Sequence, residues 1–446
     1  MLSGLFMSQN SKARFALTLL LLINLLNYID RYILSSTIAG IEKDLLGHLA
    51  QDERKAWGGM LATCFMVSFM VFAPIFGYLV GKISRWYLIG GGIIFWSLAS
   101  GLSGISGTFS NIQHHTNNEH LLALSGIIGT FTFLAITRCM VGIGEAAYGP
   151  IAPTILSDYY PQNRRGMIIS IFYVAIPVGS AMGYTFGAIV GWPDAFYWVI
   201  PPGLILGIIC FFQKDPNPEC QNYTPTNLQI NLKSAAKTLF KIPSYVLNCL
   251  GMTANTFAIG GIAFWLPNYV TYYRQFGTEK ETGTWIGGII ILSGLGATLT
   301  GGFLADYLKK WHKGSYFTVS GIGMFVGFPA FLSVLFVPFP AAWFFVAVSC
   351  FCLFLNTGPT NTILLNVSPP AYRSMAFAIN IFMIHAFGDA ISPWVIGLIA
   401  DKFATGGQSN FNAGFICISA MILLGGLFWI LGGKYLEKDT QAALQN

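Results

Sequence analysis

Runs of apolar residues recur along the whole chain, and each is long enough to cross a bilayer as a helix. About 20 consecutive apolar residues are needed to span the hydrocarbon core. We count twelve such runs, with approximate centres at Leu26, Met70, Ile94, Met140, Pro177, Leu204, Gly260, Leu292, Phe325, Phe351, Ile384 and Leu423. The segments between them leave little room for a soluble domain. The pattern predicts an all-α membrane protein with 12 transmembrane helices.

Composition and charge agree with this prediction. The 446 residues are 54% hydrophobic and only 9% charged, whereas a soluble domain has about 25% charged residues. If the N-terminus is cytoplasmic, sixteen Lys and Arg lie in cytoplasmic segments and six in the outer segments. This asymmetry follows the positive-inside rule, so we expect both termini in the cytoplasm. The net charge of +6 therefore does not indicate a nucleic-acid partner.

The second half of the chain repeats motifs of the first. Residues 155–167 resemble residues 363–375 at a spacing of 208, and residues 77–85 resemble residues 302–310 at a spacing of 225. An outer insertion at 108–120 in the first half accounts for the difference. Both repeated motifs fall on the cytoplasmic side, so the halves are predicted to be parallel copies related by an axis along the membrane normal.

The repeat divides the chain into two six-helix bundles. We expect an N-terminal bundle at 1–213, a cytoplasmic linker at 214–243 and a C-terminal bundle at 244–446. The linker is rich in Pro, Asn and Lys, and 232–240 has the pattern of a short amphipathic helix on the inner membrane surface. Glycines every fourth residue from Gly183 to Gly191 favour close helix packing.

Five charged residues lie inside the predicted spans, and four of them fall in the first and fourth. Ionisable groups in hydrocarbon usually mark ion, proton or substrate pathways. Arg138 and Glu145 are seven residues apart and share a helix face, whereas the adjacent Asp30 and Arg31 point about 100° apart. These four are candidates for proton coupling. The alternative is a fixed ion-pair network that only holds the first helix against the fourth.

The fifth charge, Asp389, lies four residues after His385 in the eleventh span. At that spacing the imidazole and the carboxylate can hydrogen-bond on one helix face. The pair is a candidate for gating or proton movement. Interhelical hydrogen bonding is the alternative.

Two short cytoplasmic turns, after the second and eighth spans, are candidate gate motifs. Gly77, Gly81 and Arg85 belong to the first turn, and Asp306 to the second. Asp306 is expected to accept hydrogen bonds from the N-terminus of a neighbouring helix, whereas Gly81 stands at the equivalent position of the first copy. The two gates should therefore differ in strength.

Other chemistry finds little support in the sequence. His114, His115 and His120 cluster in the outer insertion, but no Cys accompanies them, and no metal site is expected. We find no nucleophile elbow, phosphate-binding loop or zinc-helix motif, so the chain is not expected to be an enzyme or to need a cofactor.

Several motifs taken together resemble the Spinster family of major facilitator transporters. They lie at 27–31, 73–79, 142–148, 170–180, 385–390 and 397–401. The chain departs from the family pattern at Gly81, which is normally Asp, and at Lys82, which is normally Arg.

The resemblance implies proton-coupled transport of a lysophospholipid or a sphingoid lipid such as sphingosine-1-phosphate. It assigns proton coupling to Asp30 and Glu145, and head-group binding to Arg31 and Arg138. The expected partners are the lipid substrate, protons and the bilayer, and a monomer is expected. Because the chain lacks the long N-terminal extension and large loops of animal members, the cell inner membrane is its expected location. A proton symporter for small organic anions and a lipid receptor that does not transport remain alternatives.

Overall fold

The computed structural model describes residues 9–47, 51–80, 82–115, 120, 127–216, 232–403 and 410–445. All regular structure in these ranges is helical, and the α-helices are numbered here in chain order. They are α1 Gln9–Leu45, α2 Gln51–Leu79, α3 Arg85–His115, α4 Phe131–Ala146, α5 Ala152–Tyr159, α6 Arg165–Tyr173, α7 Ala175–Val190, α8 Asp194–Tyr197, α9 Ile200–Phe211, α10 Leu232–Leu239, α11 Pro243–Asn268, α12 Glu279–Leu308, α13 Ser315–Phe336, α14 Ala342–Leu355, α15 Thr357–Val367, α16 Arg373–Ile384, α17 Ser392–Lys402, α18 Phe411–Gly432 and α19 Leu436–Gln445. Two π-helical segments, Tyr269–Tyr273 and His385–Asp389, follow α11 and α16.

Eleven helical stretches in the described ranges are long and apolar enough to cross a membrane. The predicted fourth span is the one that differs. It corresponds to α4, which has 16 residues and is followed after a turn by α5, so neither piece alone has the length of a span. The all-helical membrane fold is thus as predicted, and the fourth crossing is built from two consecutive helices.

The contacts group the chain into two compact units, and the first contains residues 1–159 and 178–229. Within it, α4 packs against both α2 and α3, and α3 also packs against α9. Its apolar core includes Leu26, Ile33, Leu134 and Phe196, all with less than a tenth of their surface exposed. This packing carries the charged residues of α1 and α4 into the interior of one unit.

Glycines bring α7 against α1 in this unit. A Cβ atom at Gly183 would meet the carbonyl oxygen of Ile29 at 2.5 Å and the Cβ of Tyr32 at 2.9 Å. Gly187 similarly faces Ser36. The prediction of close packing is therefore right for these two positions. It is wrong for Gly191, which lies beyond the end of α7 at φ +80° with open space around it, and so serves the turn.

The second unit contains residues 160–177 and 230–446. Within it, α18 packs against α11 and α13, and α14 packs against α12 and α13. Helix α6 belongs here by its contacts with α12 and α15. The division at 1–213, 214–243 and 244–446 stays a prediction.

The predicted amphipathic helix of the linker forms as α10. Its apolar face is covered by protein, because Ala235 and Leu239 are buried and the helix packs on α16. Lys237 is on the exposed side. The location of this helix on the inner membrane surface stays a prediction.

Candidate functional site

An ion pair joins α1 to α4 inside the first unit. Nε of Arg31 donates to Oε2 of Glu145 at 2.7 Å. The Glu145 side chain is fully buried and that of Arg31 is 18% exposed. The spacing in sequence placed Arg138 on the same face as Glu145, but the ion pair that forms uses the arginine of the other helix.

Asp30, Arg31, Arg138 and Glu145 are called the charged cluster here. Its second carboxyl, that of Asp30, bonds to a third helix. Ser100 of α3 donates from Oγ to Oδ1 of Asp30 at 2.5 Å, and both residues are fully buried. Sequence reasoning grouped Asp30 only with other charged residues, and it missed Ser100. The one available signal was the spacing of serines in α3, at 97, 100, 103 and 106.

Arg138 is 1% exposed and lies near two aromatic rings. Its guanidinium carbon is 5.7 Å from the centroid of Phe65 and 5.9 Å from that of Phe196. It also interacts electrostatically with both Asp30 and Glu145. Within the described ranges no carboxylate forms an ion pair with Arg138, which joins the cluster as a cation held near two carboxyls.

Four buried polar atoms of this cluster have no hydrogen-bond partner among the described residues. They are Oδ2 of Asp30, Oε1 of Glu145, and Nε and Nη1 of Arg138. A buried polar atom without a partner costs about 1–3 kcal/mol. The cluster therefore has unused capacity to bind a proton, water or a polar group of a ligand.

Aromatic rings enclose the Arg31 side of the cluster. The Arg31 guanidinium carbon lies 5.0–5.2 Å from the ring centroids of Tyr28, Phe65 and Phe69. Cation–π attraction at such distances is worth about 0.5–2 kcal/mol, depending on how far the cation is desolvated. It holds the guanidinium in place independently of Glu145.

An apolar cleft of about 180 Å³ lies in the same unit, lined by α1, α7, α9 and the turn before α9. Leu26 and Ile29 are its α1 residues. Ile29 and Arg31 are two positions apart and so point in nearly opposite directions around the helix. The Arg31 side chain therefore points away from the cleft, whose lining is apolar.

The predicted pair in the eleventh span forms as expected. Nδ1 of His385 is 3.0 Å from both carboxyl oxygens of Asp389. The pair lies in the π-helical segment, where the amide of Ala390 bonds to the carbonyl of His385 and Gly388 has non-helical φ and ψ angles of −105°. Asp389 packs directly against Gly260 of α11. π-Segments are frequent at functional sites, but the role of this pair stays a prediction.

The first candidate gate turn ends in a buried charge cluster. Arg85 is 3% exposed, forms a two-point ion pair with Asp215, and places Nη1 2.7 Å from Oδ2 of Asp158. Gly77 is buried in the last turn of α2, and Gly81 lies outside the described residues. Sequence reasoning missed both acids, since Asp215 comes from the chain beyond α9.

The second candidate gate residue meets the N-terminus of a helix as predicted. Oδ2 of Asp306 accepts from the amide of Met167 in the first turn of α6 at 2.9 Å, and Tyr316 donates to Oδ1 at 2.6 Å. Burial lowers the pKa of the adjacent Lys309, while the Asp306 carboxylate acts in the opposite direction. Whether this contact acts as a gate stays a prediction.

In the described part of the chain, no group of three or more His, Cys, Asp or Glu has a geometry that could hold a metal ion. His120 is exposed, and the side chains of His114 and His115 lie outside the description.

Comparison with known proteins identifies the class. Residues 20–393 match the model of the Major Facilitator Superfamily, so the chain is a multi-pass membrane transporter and not an enzyme. Within that class the chain belongs to the Spinster family.

Two curated relatives support the family assignment. The chain is 30% identical to the sphingosine-1-phosphate transporter SPNS2 of Danio rerio, over 94% of this chain and 84% of the relative. It is 32% identical to protein spinster homolog 1 of Homo sapiens, over 94% of this chain and 80% of the relative.

A solved structure shares the fold. It is a bacterial homologue of the human lysosomal transporter Spinster, in an inward-facing and unoccupied conformation. The TM-score is 0.57 at 17% identity, covering 97% of this chain and 98% of the other.

Proposed function

We propose that the protein is a proton-coupled secondary transporter that moves a lysophospholipid or a sphingoid-type lipid by alternating access. Asp30 and Glu145 are the proposed proton-coupling residues, and Arg31 and Arg138 bind the anionic head group. The observation that carries the proposal is the buried cluster of two carboxyls and two guanidiniums, whose polar groups are only partly paired.

The coupling follows from competition for Arg31. While Glu145 is ionised, its Oε2 holds the Arg31 guanidinium at 2.7 Å. A proton on Glu145 weakens this charge-assisted bond, and Arg31 can then bind a phosphate with both edges of its guanidinium. Each ligand thereby changes the affinity for the other by the same factor.

Arg138 supplies the second half of the head-group site. Its Nε and Nη1 are buried and unpaired within the described residues, so they can donate to a phosphate without first breaking an ion pair. The rings of Phe65 and Phe69 beside the cluster offer apolar contact for the part of the lipid next to its head. The Danio rerio relative is itself a sphingosine-1-phosphate transporter, which makes a phosphorylated single-chain lipid the first substrate to try.

The proposed location is the cell inner membrane, with both termini in the cytoplasm. The excess of Lys and Arg in the segments that this orientation places inside supports it.

The test is lipid flux in liposomes that contain the purified protein. A labelled lysophospholipid or sphingosine-1-phosphate should move faster under an imposed pH gradient. Asp30→Asn and Glu145→Gln should each abolish the pH-driven component without loss of folding, since both keep the side-chain shape. Glu437→Gln is the matched control, because that carboxylate is exposed and bonded to Lys313.

Arg138→Ala should reduce ligand-induced thermal stabilisation by an anionic lysolipid more than by a zwitterionic one. Unchanged coupling in both carboxyl variants would refute the assignment. Competition only by small organic acids would favour the symporter for such anions, whose carboxylates the same two arginines can bind. Binding without flux would favour a receptor.

A further inference from the structure

We propose that Ser100 is a positioning residue for proton coupling: its hydroxyl fixes the Asp30 carboxyl in one orientation, so that Oδ2 is the atom that gains and loses the proton. The inference rests on the proposed function and extends it to a residue on a third helix. It starts from the 2.5 Å bond between Ser100 Oγ and Asp30 Oδ1.

The hydroxyl and the carboxyl are both sealed from solvent. Ser100 and Asp30 are fully buried, and Oδ2 of Asp30 has no partner in the described part of the chain. With Oδ1 occupied by a donor, the two oxygens are chemically unequal. A proton added to Oδ2 leaves the Ser100 bond intact, whereas one added to Oδ1 would compete with it.

Ser100 belongs to a row of buried serines along α3. Ser97, Ser100, Ser103 and Ser106 follow at intervals of three residues, and none is exposed to solvent. Ser103 Oγ lies 2.8 Å from Oγ1 of Thr137. Within the described residues only Ser100 in this row bonds to a charged group, which separates its role from that of small residues used for packing.

Glycines that directly follow the serines in sequence provide close packing on a neighbouring side of α3. Gly101, Gly104 and Gly107 alternate with the serines, and a Cβ at Gly104 would meet the carbonyl oxygen of Pro193 and the ring of Tyr197 at 3.1 Å. Ser97 also packs closely, against Gly203 of α9. Ser100 differs from these packing residues because its hydroxyl bonds to α1.

The charged groups near Asp30 come from its own helix and from α4. Among the described residues, Arg31 is on its own helix, Arg138 and Glu145 come from α4, and α3 contributes the hydroxyl of Ser100. A hydroxyl donates a stronger bond to an ionised carboxylate than to a neutral carboxyl. Removing the hydroxyl should therefore favour the protonated form of Asp30 over the ionised form.

The experiment is infrared titration of the purified protein in detergent. The band of the protonated carboxyl is assigned to Asp30 by its loss in Asp30→Asn. Ser100→Ala should move the midpoint of this band upward. Ser106→Ala is the matched control, because that hydroxyl on the same row donates to the carbonyl oxygen of Thr130 at 3.3 Å and should leave the midpoint in place.

A second pair of variants separates the hydroxyl from the shape of the side chain. Ser100→Thr keeps the hydroxyl. Ser100→Val has the shape of threonine with a methyl group in place of that hydroxyl, so only the valine variant should shift the band. Equal midpoints in wild type, Ser100→Ala and Ser100→Val would overturn the inference. A shifted band together with flux that ignores pH would show that Ser100 orients the Asp30 carboxyl and would overturn the proposed function instead.

Discussion

The bond between Arg31 and Glu145 gives a quantitative prediction for stability. Because Glu145 is fully buried, replacing Arg31 with Gln leaves a carboxylate without its cation, and such losses cost about 3–5 kcal/mol. Arg31 is 18% exposed, so water relieves part of the loss and we expect about 3 kcal/mol. Glu145→Gln should cost less, about 1–2 kcal/mol, since the amide oxygen still accepts from Arg31.

A double-mutant cycle isolates the pair from its surroundings. The aromatic contacts of Arg31 with Tyr28 and Phe65 are lost equally with and without Glu145, so they cancel in the cycle. The remaining coupling energy should be about 1.5–3 kcal/mol, the range for a hydrogen bond between charged groups.

The assay is denaturant unfolding in detergent, followed by circular dichroism at neutral pH. The exposed pair Lys313 and Glu437 is the matched control, with side chains 70% and 42% exposed, and its coupling should be at most about 1 kcal/mol. If the Arg31 and Glu145 cycle is additive within about 0.5 kcal/mol, the claim that this bond is a buried, energetically significant ion pair is wrong.

Two further predictions concern backbone contacts. Asp306→Ala should speed hydrogen exchange at the amide of Met167 and its neighbours in the first turn of α6, because that amide loses an acceptor at 2.9 Å; unchanged exchange would show that the carboxylate does not hold this turn. Gly183→Ala should destabilise by about 1–3 kcal/mol in thermal or chemical unfolding because its Cβ would lie 2.5 Å from the carbonyl oxygen of Ile29. Gly287→Ala, where a Cβ meets nothing within 4 Å, should be neutral or stabilising, and equal effects at the two glycines would contradict the packing argument.

Hydropathy predicted the helices because a bilayer imposes a minimum length on any span. Among the described residues, the fourth predicted span is the one without a helical stretch of spanning length, because the backbone leaves the helix between Ala146 and Ala152 while the sequence stays apolar. Hydropathy averaged over a window of residues does not change at that turn. The turn alters the backbone conformation and leaves the apolar character of the side chains unchanged.

The members of the charged cluster could be predicted, but not their pairing. A helical wheel fixes which residues share a face of one helix, and so it grouped Arg138 with Glu145. Which arginine reaches the carboxylate depends on how α1 and α4 are rotated and offset, and only the packed structure sets those variables. For the same reason, the sequence did not predict Asp215 as the partner of Arg85.

The repeat bears on where proton coupling can reside. The spacing of 225 relates Asp30 to position 255, where Asn255 is buried and its amide nitrogen lies 3.4 Å from the amide oxygen of Asn356. The spacing of 208 relates Glu145 to Leu353, which is also buried. Neither an amide nor an aliphatic side chain takes up a proton near neutral pH. Under the proposed function, Asp30 and Glu145 therefore have no carboxyl counterpart at these two positions of the second unit, where an amide and an aliphatic side chain stand instead.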